Sequence, residues 1–433
     1  MSERPSILYI FTDQQSSFAM SCMGNDDLYT PNMDRLAARG VLFRQTYCAF
    51  PLCTPSRAAM FTGVMPHECG IDRNSVDMEE SFHARSLGRV LSQAGYDCAY
   101  GGKWHIPRVN IPEDNPFGFH RICGFDDNHL ADACLSFLAE KREAPFFLVA
   151  SFDNPHNICE WGRNQALPWG PIGDPPPVAD CPNLPANFAI GPYAPGVLEH
   201  ERAANWRIYP GRDYAPDNWR RHRWAYFRLV EKVDAEIGRI LDGLDTSGLW
   251  ENTLVVFSSD HGDGCGAHQW NQKSCLYEEV ARVPLIVAGP GVREGIANDD
   301  QLVNNGLDLF PTFCDFAGAP MPDGLRGRSL RPLLSEQEPC DWREAIFSET
   351  RFDGDRGYRT PGRMARSARY KYVCYEAGPW REQLFDLKTD PLETLNLAVE
   401  RKFASVLEEH RRLLAQELTE TNDPFSVPSG DPR

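Results

Sequence analysis

SILYIFTDQQ, residues 6–15, joins an unbroken run of strand-forming residues to three polar side chains, Asp13, Gln14 and Gln15. Residues 6–12 predict a short buried strand, with the polar cluster at its carboxyl end. The same arrangement recurs three times. YDCAYGG (96–102) leads into Lys103-Trp104-His105, PFFLVASF (145–152) into Asn154-Pro155-His156, and TLVVFSS (253–259) into Asp260-His261-Gly262. Helical segments fall between them: Pro31–Arg39 with Gly40 past its end, Ser56–Thr62 closed by Gly63, and Ser86–Ala94 stopped by Gly95. A longer helix is predicted over Asn218–Leu244, with Phe227, Val230, Val233 and Ile237 at helical intervals. Strands alternating with helices predict an α/β fold, a large mostly parallel sheet sandwiched by helices. Ligands in such folds bind beyond the carboxyl ends of the strands. Four separate segments would therefore deliver reactive side chains to one rim.

VLFRQTYCA (41–49) and VPLIVAG (283–289) add further strands. Trp161–Pro216 is rich in Pro, Gly and Trp, lacks periodicity and reads as one long loop region of the kind that forms lids. Its aromatic and basic residues and those just after it (Trp169, Trp206, Arg207, Trp219, Arg220, Arg223) fit either a sugar-binding wall or simple packing of the segment onto the core. After Leu334 the pattern changes to short strand-like pieces, AIFSE, YKYVCY and QLFDL, before a charged helix near Ala398–Glu420. The expected organisation is a catalytic α/β domain over residues 1–335 and a smaller C-terminal α+β domain over 336–433.

The chain has 433 residues, 42% hydrophobic and 24% charged, and a formal net charge of −17. That charge repels nucleic acid, although a focused Lys/Arg cleft could still take a small anion. The fourteen cysteines are scattered, with no CxxC pair, which predicts reduced core thiols rather than a disulfide framework. No apolar stretch approaches the roughly 20 residues that span a bilayer. MSERPSILYIFTDQQ lacks a signal region, so a cytoplasmic location is expected, or a periplasmic or secreted one if a leader has been removed. Oligomeric state is left open.

The most informative motif is Leu52-Cys53-Thr54-Pro55-Ser56-Arg57, followed by Thr62-Gly63. Here the chain resembles the formylglycine-dependent sulfatases of the alkaline phosphatase-like superfamily, whose modification signature is Cys, any residue, Pro, Ser, Arg, with Thr-Gly beyond. The resemblance continues through the DQQ start, GGKWH (101–105), the DHG block, YEEVARVPLIV (277–287) and LFDLKTDPLETLNLA (384–398). It implies a hydrolase of sulfate esters, acting on a sulfated carbohydrate or another small organic sulfate, and matured by a formylglycine-generating enzyme. Cys53 would become an aldehyde that hydrates to a diol. One hydroxyl attacks sulfur, and the other expels the sulfate as the aldehyde reforms. Arg57 would hold the diol and offset negative charge.

The resemblance also implies a divalent metal held by Asp13, Gln14, Asp260 and His261, with the modified Cys53 completing the shell. Oxygen donors favour Ca²⁺ or Mg²⁺. Gln14 and His261 depart from the commonest sulfatase pattern of Asp and Asn; they lower the ligand charge and admit Mn²⁺. Lys103 would bind a sulfate oxygen and His105 would take the proton that triggers sulfate release, both reaching the site from alternate positions of an extended segment. His156 would protonate or orient the leaving oxygen, and Lys273 would bridge the sulfate and that oxygen. Two other readings remain: a phosphonate monoester or phosphodiester hydrolase using the same nucleophile, and a non-catalytic anion-binding protein with unmodified Cys53. Asp263 and His268, nearby in the chain, carry no assigned role.

Overall fold

The computed structural model describes residues 4–113, 116–204, 210–335, 341–353 and 359–430. The main sheet has eight strands: β1 (Ser6–Asp13), β2 (Gly40–Phe43), β3 (Asp97–Gly102), β4 (His120–Cys123), β5 (Phe146–Pro155), β6 (Thr253–Ser259), β7 (Leu285–Ala288) and β8 (Ile296–Asn298). Their spatial order is β4-β3-β5-β1-β6-β7-β2-β8. Only β7 runs against the rest: its pairings with β6 and β2 are antiparallel, and every other pairing in the sheet is parallel. The expected mostly parallel sheet is therefore present, with β1 at its middle between β5 and β6.

Alternation along β1 explains why its whole apolar run is buried. Ile7, Tyr9 and Phe11 face one layer, packed with Phe61, Phe310 and Phe313. Leu8 and Ile10 face the other, packed with Phe227, Val230, Val233 and Ile237. The first layer carries the helices Cys53–Thr62 and Asn305–Ala317, the second Asp127–Ala139 and Pro216–Thr246. Two of these four helices lack a counterpart among the predicted segments. Asn305–Ala317 is buried at twelve positions and is interrupted by Pro311, so its sequence does not read as an uninterrupted helix. Asp127–Ala139 is announced only by Asp126, whose side chain accepts from the Asn128 N–H.

Trp161–Pro216 is more structured than a single loop: it includes the end of a helix at Ile158–Gly162 and a further helix at Gly196–Ala204. Trp206 and Arg207 lie outside the described residues. Trp219 packs against Phe188 and Tyr214, Arg220 donates to the Pro182 and Cys181 carbonyls, and Arg223 donates to the Cys265 carbonyl. Trp219 and Arg220 hold the segment onto the long helix, and Arg223 ties that helix to the strand-end loop at Cys265.

Beyond the main sheet, β9 (Ala345–Asp353), β10 (Arg359–Ser367), β11 (Tyr370–Tyr375) and β12 (Glu382–Asp386) form an antiparallel meander in chain order. One face covers Leu276, Tyr277 and Val280 of the main body. The other covers Leu407, Leu414 and Leu418 of a helix at Ala404–Glu420, which starts six residues later than expected because short 3₁₀ turns occupy Leu397–Val399 and Arg401–Phe403. No helix among the described residues is long and apolar enough to cross a membrane.

Candidate active site

Cys53 opens a fully buried helix, Cys53–Thr62, beneath the carboxyl ends of β1 and β6. Pro55 sits in its first turn, where a missing N–H costs nothing, and Gly63 closes it at φ 70°. The free N–H groups and the helix dipole make that end favourable for negative charge. Ser56 donates to the Asp260 carbonyl at 2.5 Å, and Thr54 Oγ1 donates to the His105 carbonyl at 2.8 Å. The motif therefore pins its own helix to two of the strand ends that carry the other reactive groups.

Four donors converge there. Cys53 Sγ lies 3.3 Å from His261 Nε2 and 3.6 Å from Asp13 Oδ1. His261 Nε2 lies 3.7 Å from both Asp13 Oδ1 and Asp260 Oδ1. Asp13, Cys53, Asp260 and His261 thus form a compact group of candidate metal ligands, all fully buried. Donors about 2.0–2.6 Å from one cation sit about 3–4 Å from each other, which matches these separations. His261 Nδ1 faces the Gly262 carbonyl at 2.9 Å and so carries a proton, which turns Nε2 toward the cluster. Gly262 is required by close approach: a Cβ there would meet the Glu279 carbonyl oxygen at 2.1 Å.

Gln14 adjoins the group at φ 72°. Its backbone N–H donates to Asp260 Oδ1 at 3.1 Å and its Nε2 donates to Asp263 Oδ2 at 2.7 Å. With Nε2 committed to Asp263, Oε1 is the donor its side chain could offer a cation. In the sequence, Asp263 is marked only by its place three residues after Asp260.

A ring of cations surrounds these acceptors. Arg57 donates through Nε to Asp260 Oδ2 (2.8 Å) and through Nη2 to Asp13 Oδ2 (2.9 Å). Its Nη1 reaches the Lys103 carbonyl and Ser151 Oγ. Arg57 therefore braces the two carboxylates, which is its charge-offsetting role; no contact of it with Cys53 Sγ stands beside these. Lys103 Nζ bridges Asp13 Oδ2 at 2.8 Å and Asp153 Oδ1 at 2.9 Å. Lys273 Nζ lies 3.1 Å from Cys53 Sγ. His156 Nδ1 is 3.9 Å from Asp153 Oδ1 with a partly exposed ring. His105 departs from the extended geometry expected of it. Its φ is 57°, so it is not related to Lys103 by strand alternation, and its buried Nδ1 has no hydrogen-bond partner among the described residues.

The electrostatics follow from this crowding. Burial raises the Asp13 carboxyl, but Lys103, His156 and Arg57 outweigh it and hold the group well below the usual carboxylate range. Burial and Asp13 push the Cys53 thiol up, yet Lys273, His261 and Lys103 leave it well below the usual thiol range. Burial and the charge of Asp13 raise Asp260. The site thus favours negative charge at position 53 and holds cations beside it, an arrangement suited to a tetrahedral anion.

Similarity to known proteins agrees with this geometry. The family description "Sulfatase" matches residues 5–319, and "N-sulphoglucosamine sulphohydrolase, C-terminal" matches residues 266–421. A Delta 4,5-hexuronate-2-O-sulfatase of Bacteroides thetaiotaomicron is 32% identical over 98% of this chain and 90% of its own length. A solved 2-O GAG sulfatase superposes with a TM-score of 0.88 at 30% identity, covering 99% of this chain and 95% of that one. The phosphonate monoester hydrolase of Agrobacterium radiobacter shares the fold, with a TM-score of 0.78 at 24% identity over 96% of both chains. The cysteine helix, the converging acceptors and the flanking lysines thus occur in a chain that belongs to the sulfatase family, enzymes that hydrolyse sulfuric esters.

Proposed function

We propose that the chain removes sulfate from an acidic carbohydrate, using formylglycine made from Cys53 by a formylglycine-generating enzyme and Ca²⁺ held by Asp13, Asp260, His261 and Gln14. The observation that carries this reading is the convergence of Asp13 Oδ1, Asp260 Oδ1 and His261 Nε2 around position 53, with Lys273 Nζ 3.1 Å from the cysteine sulfur. The predominance of hard oxygen donors supports Ca²⁺, and the imidazole leaves Mn²⁺ as its competitor. When bound, the cation supplies Lewis acidity and the hydrated aldehyde supplies the hydroxyl nucleophile.

The chain's own residues do the rest. Lys103 and Lys273 bind sulfate oxygens and offset the charge that builds on them as the ester S–O bond breaks. His156 donates a proton to the departing sugar oxygen, and His105 accepts the proton released when sulfate is expelled. Arg57 bridges Asp13 and Asp260 and offsets their charge. The names of the similar hexuronate and GAG sulfatases support a sugar substrate. No disulfide joins the described cysteines to one another, which supports work in a reducing compartment such as the cytoplasm.

Paired substrates test the reading. Turnover of 2-O- and 6-O-sulfated uronate and glucosamine saccharides is compared with that of an aryl sulfate and the matching aryl phosphonate, with Ca²⁺ or Mn²⁺ added. Release of sulfate from at least one saccharide, faster than hydrolysis of the phosphonate, is expected. Preference for the phosphonate would transfer the chain to the second chemistry that Gln14 and His261 allow.

A further inference from the structure

Asp153, at the end of β5, meets more of the site's polar groups than any role assigned above explains. One oxygen accepts from Lys103 Nζ at 2.9 Å and lies 3.9 Å from His156 Nδ1. The other accepts from Asn157 Nδ2 at 2.7 Å and Trp169 Nε1 at 2.9 Å. Its backbone is fixed as firmly, because Asp127 accepts from the Asp153 and Asn154 N–H groups, both at 2.8 Å. The carboxylate is buried, so each contact forms in a low dielectric where orientation is well defined.

We infer that Asp153 is a positioning residue that sets Lys103 and His156 together, and that Trp169 locks it in place from the 161–216 segment. This rests on the sulfatase reading for the identity of the reacting atoms. Lys103 has a carboxylate on either side, Asp13 and Asp153, and so is held between the cation site and β5. His156 turns Nδ1 toward the same carboxylate, so its Nε2 is directed away from Asp153. A proton shared with a leaving oxygen then leaves an imidazolium that Asp153 stabilises. Trp169 is itself anchored: its ring packs edge-on against Phe125 at 5.1 Å, and Lys232 donates to the Trp169 and Gly170 carbonyls. Phe125 in turn lies beneath Lys103 Nζ, 5.8 Å from the ring centre.

A role through His156 has a signature that a merely structural carboxylate lacks. Help from a general acid matters little for a good leaving group and greatly for a poor one. The test is the dependence of kcat/KM on leaving-group basicity, measured for wild type, Asp153→Asn, Trp169→Phe and His156→Ala over a series of aryl sulfates extended to an alkyl sulfate. Asp153→Asn is expected to lose about 10-fold on the most activated ester and on the order of 10²–10³ on the least, parallel to His156→Ala. Trp169→Phe, which deletes the indole N–H and keeps an aromatic ring, is expected to show the same slope at a few-fold amplitude. A loss of equal size across the series, or no loss, in a variant that melts within a few degrees of wild type would overturn the proposal. If Asp153→Asn does not fold, Trp169→Phe decides by the same criterion. If the wild type cleaves phosphonates and no sulfate, the sulfatase reading fails, and the same variants measured on an aryl phosphonate series still judge Asp153.

Discussion

Two buried clusters in this protein use nearly the same residue types and differ in where the hydrogens point. At the carboxyl ends of β1 and β6, Asp13, Asp260 and His261 surround Cys53. Between β9, β10 and the end of the last helix, His67, Glu349 and Asp423 gather in a second group of candidate ligand type. In the second group every donor finds an acceptor within the protein. His67 Nδ1 bonds Glu349 and its Nε2 reaches the Thr421 carbonyl at 3.2 Å. Asp423 receives both Nε and Nη2 of Arg363, at 2.6 and 3.0 Å. The charges cancel, and the cluster ties the chain's end to the main body. In the first group Asp13 Oδ1, Asp260 Oδ1 and His261 Nε2 face one another, while Arg57 and Lys103 occupy the outer carboxylate oxygens. Converging acceptors call for a cation, whereas matched donors and acceptors do not. Composition alone does not separate a catalytic centre from a structural clasp; the direction of each N–H does.

The sharpest way to break the comparison is to change the nucleophile. Cys53→Ala is expected to lower turnover by on the order of 10⁴ or more, with a melting temperature close to wild type, because the methyl group fits the same buried position. Retained activity would refute the role given to the first cluster. Lys273→Ala is next, at about 10²–10³ in kcat, since one preorganised charge beside the reacting group is lost. Metal content separates the two groups directly. Elemental analysis after dialysis should find about one divalent cation in wild type and in His67→Gln, and far less in His261→Ala, with affinity lower by about 10–100-fold or more. Equal loss in both variants would erase the distinction.

The smallest effect concerns the clasp. Burial lowers the pKa of His67, but Glu349 and Asp423 raise it further, to about 9. The unfolded value is about 6.5, so the stabilisation is fully present below that pH and is lost as pH rises through about 9. Urea unfolding should therefore show His67→Gln less stable than wild type by about 2 kcal/mol at pH 6, discounted for partial exposure, with the gap closing by pH 10. A gap independent of pH would mean the ring acts by packing alone.

Much of the first cluster was legible because strand ends are loud in a sequence. The runs before Asp13, Lys103, Asn154 and Asp260 are apolar and end abruptly in polar residues, and the parallel sheet brings those ends together. Asp153 was hidden by the same grammar: it sits inside the strand Phe146–Pro155, where a buried acid looks like a boundary until its partners are seen. Trp169 lies sixteen residues further on, in a stretch without period, and only folding brings its N–H to Asp153. His105 has a left-handed backbone where an extended one is expected, because Gly-Lys-Trp-His does not announce a left-handed residue. The clasp was invisible for another reason. Its members are spread from residue 67 to residue 423, and no local pattern links them.

The most direct test of the central claim is peptide mass spectrometry across Cys53 on protein made alongside a formylglycine-generating enzyme. The expected result is a peptide in which position 53 has lost its sulfur and carries an aldehyde that reacts with a hydrazide probe, in proportion to sulfatase activity. Full activity in protein whose Cys53 is entirely thiol would contradict the account.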